Sequence, residues 1–205
     1  MKEIRISPKY SLNDWTGLDL GLVGSPDWKV AIDIFQDRIE GRFLRQVDEL
    51  LANKNKGIRS FAGFVIIAID CLLIETLEQF NRGAKRTGKD EDEKIFHDFF
   101  QRSTPLASFF NTTDKTRVFY NQIRCGILHQ AQTKKKSIIH YRIGTPVLAW
   151  IDPNDISQGI SLNRTKFHRE VKNIFEDYLL ELRKGRDLNL RRKMQRKMNF
   201  IAKQS

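Results

Sequence analysis

The chain has 205 residues, 40% of them hydrophobic and 30% charged, with a formal net charge of +11. Such a balance excludes a disordered or fibrous chain, leaves room for one domain with a real core, and favours a polyanionic partner. Two cysteines, Cys71 and Cys125, exclude a disulfide framework and fit a reducing compartment.

Residues 1–24 read as an irregular N-terminal segment with turn-forming Gly17, Gly21 and Gly24. Met1 to Ser7 shows no apolar run behind its charges, so no secretory signal is expected. Ser25-Pro26-Asp27 then supplies a capping serine, a proline at the first helical position and an acid in the first turn. The helix it opens should reach about Leu51, with Ile32, Phe35, Ile39, Phe43 and Val47 at helical spacing. After a polar loop at 53–57, a second helix is expected from Ile58 to Arg82, apolar nearly all round and therefore central, with Gly83 as its stop. Its greasiest part, Phe61 to Ile74, is interrupted by Asp70 and falls short of the ~20 residues needed to span a bilayer. A cytoplasmic chain without membrane association is the expectation.

A charged loop at 84–93 leads to a short helix at Lys94–Gln101, and Pro105 opens another short segment. The next strong helix spans Asp114 to Gln132 and is closed by Lys134-Lys135-Lys136. Residues 137–143 alternate and are β-branched, Gly144-Thr145-Pro146 turns, and Val147 to Ile151 pairs back, which is a hairpin pattern. Gly159 to Leu162 is a candidate third strand. Helical spacing returns from Arg164 to Lys184, and residues 185–205 form a basic last helix or tail. The fold class expected is mainly α: a helical domain over 25–184 with a small β-hairpin insertion in the region 137–162. From Arg183 onward nine basic residues face Asp187 alone, so eight of the eleven net charges sit there.

The chemistry concentrates in Phe119-Tyr120-Asn121-Gln122-Ile123-Arg124-Cys125-Gly126-Ile127-Leu128-His129. At ~100° per residue, Phe119, Ile123, Ile127 and Gln130 share one face, while Asn121, Cys125, Leu128 and Gln132 lie opposite. Arg124 and His129 flank the second face on different sides. A helix with two uncharged faces can pack on the core with one and on a second copy of the chain with the other. A two-fold interface would then converge two Arg and two His on one cleft.

Arg124-x4-His129 late in a helical chain resembles the R-x4–6-H signature of the HEPN superfamily, and Arg124-Cys125-Gly126-Ile127-Leu128-His129 looks like its Arg-Cys-Gly-Leu-Leu-His version. The preceding helix, Ile69 to Leu77, supports the likeness, which covers about Ser25 to Gln132. The resemblance implies a helical bundle, dimerisation through the motif helices, and metal-independent endoribonuclease activity of toxin–antitoxin or antiviral defence systems. An antitoxin or sensor protein would be the natural regulatory partner. Many active members carry Asn, Asp or His directly after the Arg, where this chain has Cys125.

In that reading His129 acts as general base or acid toward a ribose 2′-hydroxyl, and Arg124 clamps the scissile phosphate. Asn121 and Gln122 would orient phosphate or imidazole, and Lys134, Lys135 and Lys136 would guide single-stranded RNA. Glu75 or Asp70 would support Arg124 from the neighbouring helix. No cofactor or metal is called for: His97-Asp98 lacks further ligands at suitable spacing. Phe96, Phe99, Phe100, Phe109 and Phe110 read as core rather than as base-stacking residues. Two alternatives stay open. One is a non-catalytic relative that binds RNA or serves as an interaction scaffold. The other is a DNA-binding regulator using the basic tail, although no recognition-helix motif supports it.

Overall fold

The computed structural model describes residues 4–22, 24–89 and 91–204. Met1 to Glu3, the start of the segment read as irregular, lie outside the described residues, as does Asp90 in the charged loop. That N-terminal segment contains a helix, α1 (Leu12–Thr16). Ser11 and Asp14 form its capping box, each side chain accepting the other's backbone N–H.

The expected start is shifted by one residue: Pro26, not Ser25, holds the cap position of the first long helix, and Ser25 Oγ accepts the Asp27 amide at 3.2 Å. From there α2 (Asp27–Ile39) passes through a π turn at Glu40–Leu44 into α3 (Arg45–Ala52). The second expected helix begins as the short α4 (Lys56–Phe61), capped by the Asn55 side chain, and continues as α5 (Gly63–Arg82). Gly83, at φ +66°, ends it as expected: its left-handed turn lets the Gly83 and Ala84 amides bond back to Phe80 and Gln79. Short helices α6 (Asp92–Phe100) and α7 (Thr104–Phe109) follow. Next come α8 (Thr113–Phe119), a second π turn at Tyr120–Arg124, and α9 (Cys125–Gln130). Three strands, β1 (Ile138–His140), β2 (Leu148–Trp150) and β3 (Ile160–Asn163), precede the long α10 (Arg164–Lys184) and the basic α11 (Leu188–Gln204).

These elements form two compact units. The first is built from Met1–Asp48, Gln79–Arg86 and Phe175–Ser205. Its core centres on Phe35, whose ring meets Phe80, Phe175 and Tyr178 at centroid distances of 4.5, 5.8 and 5.8 Å. Buried Asp37 ties the N-terminal segment to α2, accepting from Ser7 Oγ at 2.7 Å and from the Lys9 amide at 2.8 Å. Met194 and Met198 bury one face of α11.

The second unit comprises Glu49–Glu78 and Thr87–Ile174. Its centre is a phenylalanine cluster: Phe100 stacks on Phe110 at 4.2 Å and Phe119 on Phe167 at 5.4 Å, with Phe96 and Phe99 fully buried beside them. Phe109 stacks on Trp150 of β2 at 4.5 Å. Burial of these rings explains why so short a set of helices, α6 to α8, holds together. Buried Arg164, at the start of α10, donates to the carbonyls of Arg59 and Ser60 at the end of α4 and stacks on Tyr141. A cation at a helix C-terminus satisfies carbonyls that the helix itself leaves open.

The hairpin reading is corrected by the sheet order β1-β3-β2. β1 does not pair with β2: it runs parallel to β3, with Ile139 opposite Leu162, and β2 runs antiparallel to β3, with Leu148 also opposite Leu162. The physical reason lies in burial. Ile160, Leu162 and Asn163 are all buried, so β3 takes the centre, where both edges are bonded, and the more exposed β1 and β2 become edges. Ser137 Oγ helps to hold this arrangement by accepting the Ile160 amide at 3.0 Å.

Candidate functional site

The motif helix is continuous through α8, the π turn and α9, but it is not a regular α-helix. The Cys125 amide bonds to the Tyr120 carbonyl, five residues back, which widens the turn that carries Arg124. Single π turns of this kind recur at functional positions. Phe119, Gln122, Ile123, Gly126 and Ile127 are buried, Arg124 and Cys125 are half-buried, and Asn121, Leu128, His129 and Gln130 are exposed. Gln130 therefore does not join the buried face as its periodicity predicts. The helix stops there, two residues before the expected Gln132, because Ala131 turns left-handed at φ 52°.

Gly126 explains how the chain leaves the helix. Beyond Ala131 the backbone folds back, the Gln132 amide bonding to Gly126 and the Lys134 amide to Gln122. A Cβ at position 126 would stand 2.5 Å from the Gln132 carbonyl oxygen, so only glycine fits between the helix and the loop that folds back on it. Gln122 completes the seam: its amide donates to the Ser157 carbonyl at 2.8 Å and accepts Ser137 Oγ at 2.8 Å. Both ends of this side chain serve the internal frame, so it stands away from any phosphate. Asn121, its neighbour, is exposed.

Arg124 faces α5. Its guanidinium lies 3.6 Å from the Glu75 carboxylate and 5.2 Å from the centre of the Tyr120 ring. Glu75 is in turn fixed by Thr87, whose hydroxyl donates to it at 2.8 Å, and the Tyr120 hydroxyl donates to Asp92 at 3.2 Å. Partial burial on its own would lower the Arg124 pKa, but the Tyr120 hydroxyl, Cys125 thiol and Glu75 carboxylate outweigh it and raise the value. Burial pushes the Tyr120 phenol up, which keeps its proton available for Asp92. The result is a permanently charged, oriented cation. Tyr120, Asp92, Thr87 and Gly126 were not singled out by the sequence reading; Tyr120 lies four residues before Arg124, the spacing at which helical side chains meet.

Asp70 does not belong to this cluster. It is wholly buried, and its carboxylate contacts His168 Nδ1 of α10 at 2.7 Å. Helix α5 thus points Asp70 inward to His168 and Glu75 outward to Arg124. Cys71, beside Asp70, is buried, and that burial raises its thiol pKa, leaving an unreactive packing residue.

His129 occupies the last turn of α9, exposed and without a hydrogen bond or ion pair among the described residues. Lys134 is half-buried, and Lys135 and Lys136 are exposed on the turn that follows. Several large apolar side chains are exposed in this unit: Phe61 at the end of α4 (84%), Val65 (52%) and Leu72 (44%) of α5, and Leu128 of α9 (49%). His97 bonds Thr116 and Asp98 bonds Lys94, so neither half of that doublet points into a shared site. No three His, Cys, Asp or Glu side chains converge among the described residues, and no described helix is long and apolar enough to cross a membrane.

Compared with models of known protein families, with curated proteins and with solved structures, the chain matches none of them.

Proposed function

We propose that this chain is a HEPN-type, metal-independent endoribonuclease that cuts single-stranded RNA through Arg124 and His129. The observation that carries the reading is the pairing, within one continuous helical segment, of an anchored cation with an exposed histidine that has no hydrogen bond or ion pair among the described residues. An oriented guanidinium suits a phosphodiester, and an exposed imidazole can serve as a proton-transfer group.

The chemistry needs no external reagent. One imidazole takes the proton of a ribose 2′-hydroxyl, the 2′-oxygen attacks phosphorus, and the bond from phosphorus to the 5′-oxygen breaks. A second imidazolium returns a proton to the departing 5′-oxygen. The products are a 2′,3′-cyclic phosphate and a 5′-hydroxyl. Arg124 offsets the charge that builds on the non-bridging oxygens. Two acid–base groups are required, and one chain offers one motif histidine. A homodimer seated on Val65, Leu72 and Leu128 would supply the second and bring both arginines to a common cleft. Lys135 and Lys136 would steer the strand, and regulation by an antitoxin or sensor protein in a defence setting follows from the family resemblance.

A second reading is favoured by Cys125, which stands where many active HEPN members carry Asn, Asp or His, and by the way Glu75 and Tyr120 engage Arg124. In it the chain binds RNA or a partner without cutting. Incubation of a mixed-sequence single-stranded RNA in excess EDTA separates the two. The nuclease reading expects cyclic-phosphate ends from the native chain and none from His129→Ala or Arg124→Ala. Binding without cleavage by all three would move the assignment to the scaffold. Equal cleavage by all three would remove the motif from the chemistry.

A further inference from the structure

The first unit contains a cavity of about 550 Å³, far from the motif in sequence and independent of it in composition. One wall is α11, whose Leu188, Arg192, Gln195, Arg196, Asn199 and Lys203 follow each other at helical spacing. Trp28 of α2, the Leu20–Gly21 turn and Lys85 form the other sides. No aspartate or glutamate lines it.

Of the five cations that line it, only Arg191 is tied into the fold. α11 is fixed from its opposite face: Met194 and Met198 are buried, and Lys197 Nζ donates to Gln79 Oε1 at 2.6 Å and to the Lys85 carbonyl at 2.7 Å. Trp15 locks Asn199 through an indole hydrogen bond of 2.8 Å, and Arg191 lies over the Trp28 ring and donates to the Leu182 carbonyl. By contrast, Lys85, Arg192, Arg196 and Lys203 are exposed and have neither an ion pair nor a side-chain hydrogen bond among the described residues. Like charges gathered in a concave, acid-free wall repel each other, and they focus the potential on whatever anion enters. The cavity is also more than a phosphate needs. Leu20, Leu188 and Phe200 give it apolar surface, and Gln195, with its amide unused among the described residues, can read a polar edge. Its size falls in the range of small-ligand and cofactor sites, about 300–1,000 Å³.

We infer that this cavity is a binding site for a nucleotide unit, its phosphates held by Arg192, Arg196 and Lys203 and its base or sugar set against Leu188, Phe200 and Gln195. The unit comes either as a free nucleoside polyphosphate or as part of a single-stranded RNA. The site does not depend on Arg124 or His129 being catalytic.

The test is fluorescence anisotropy with a labelled 2′-O-methyl RNA of about twelve nucleotides, which lacks the nucleophile and so is not consumed. The full-length native chain is compared with Arg192→Ala/Arg196→Ala and, at two exposed lysines outside both sites, with Lys54→Ala/Lys56→Ala over a salt series. Thermal unfolding of each variant confirms that it is folded. The double arginine variant is expected to bind about tenfold or more weakly, with a log–log salt slope shallower by about 1.4, the value for two single-strand phosphate contacts. The lysine variant retains more than half of the native affinity for the strand. Displacement of the strand by excess ATP assigns the site to a single nucleotide unit; arginine-dependent binding that ATP does not displace assigns it to the strand. Native-like binding by the arginine variant overturns the inference, as does failure of the native chain to bind either probe at about 1 mM. Arginine-dependent binding to phosphatidylserine vesicles, with none to either nucleotide probe, overturns it as well.

Discussion

Two histidines of the second unit have opposite surroundings. His168 is buried in α10 and touches Asp70, a wholly buried carboxylate. His129 is exposed at the end of α9, with no hydrogen bond or ion pair among the described residues. One helix, α5, serves both neighbourhoods, giving Asp70 to the first and Glu75 to the Arg124 side of the second. The difference shows that residue type alone marks neither position: the same imidazole can be part of a core or a reagent, depending on what its ring nitrogens already hold.

The contrast is sharpest in activity. If the proposed nuclease reading holds, His129→Ala is expected to slow RNA cleavage by about 10²–10⁴-fold while leaving unfolding stability within about 0.5 kcal/mol of native. Loss of activity with an equal loss of stability would make His129 structural and erase the contrast. His168→Ala should do the reverse, lowering stability by about 3–5 kcal/mol because a buried carboxylate loses the group facing it. Denaturant unfolding reads this directly, and a change below about 1 kcal/mol would show that the pair is dispensable. Gly126→Ala lies between them, since its Cβ would press on the Gln132 carbonyl; a loss of about 1–3 kcal/mol is expected from the same measurement.

The pH response separates the two regions again. Burial, opposed by His168, raises the Asp70 pKa above its ordinary 3.8. The native chain therefore keeps this proton where the unfolded chain has lost it. Asp70's contribution to stability is fully present below 3.8 and is lost as pH rises through the raised value. Asp70→Asn should flatten that decline in urea midpoints measured from about pH 4 upward. Parallel curves for variant and native chain would place the decline elsewhere. The smallest effect is expected from Glu75→Gln, a half-exposed partner at 3.6 Å, with a change below about 1 kcal/mol.

Long helices were readable because they satisfy their own backbone and repeat their apolar residues. The span expected at Arg164–Lys184 is the span of α10, and Gly83 stops α5 as its position implies. The π turns left no trace in the periodicity, since a wide turn is selected by what packs around it rather than by local preference. Strand order was equally hidden: alternation identified β1, β2 and the candidate third strand, but which of them lies in the middle depends on burial against the rest of the unit. At the site, Arg124 and Glu75 were named together and lie together, whereas Asp70, only five residues from Glu75, turns to the core. The α1 capping box is written in Ser11-x-x-Asp14, although the glycines at 17, 21 and 24 give the segment the composition of a loop.

The sheet order has a consequence for assembly in time. A hairpin can close as soon as its second strand exists, with only a short loop to restrain. Here β1 and β2 have no bonds to offer each other and both wait for residues 160–163. On a ribosome they emerge with open edges, and the Ser137 hydroxyl that donates to Gln122 receives its bond from the Ile160 amide only when that late strand arrives. The frame behind the motif helix is therefore among the last parts of the second unit to set, and a chain interrupted before Ile160 would carry the whole Arg124–His129 sequence without the support that shapes it.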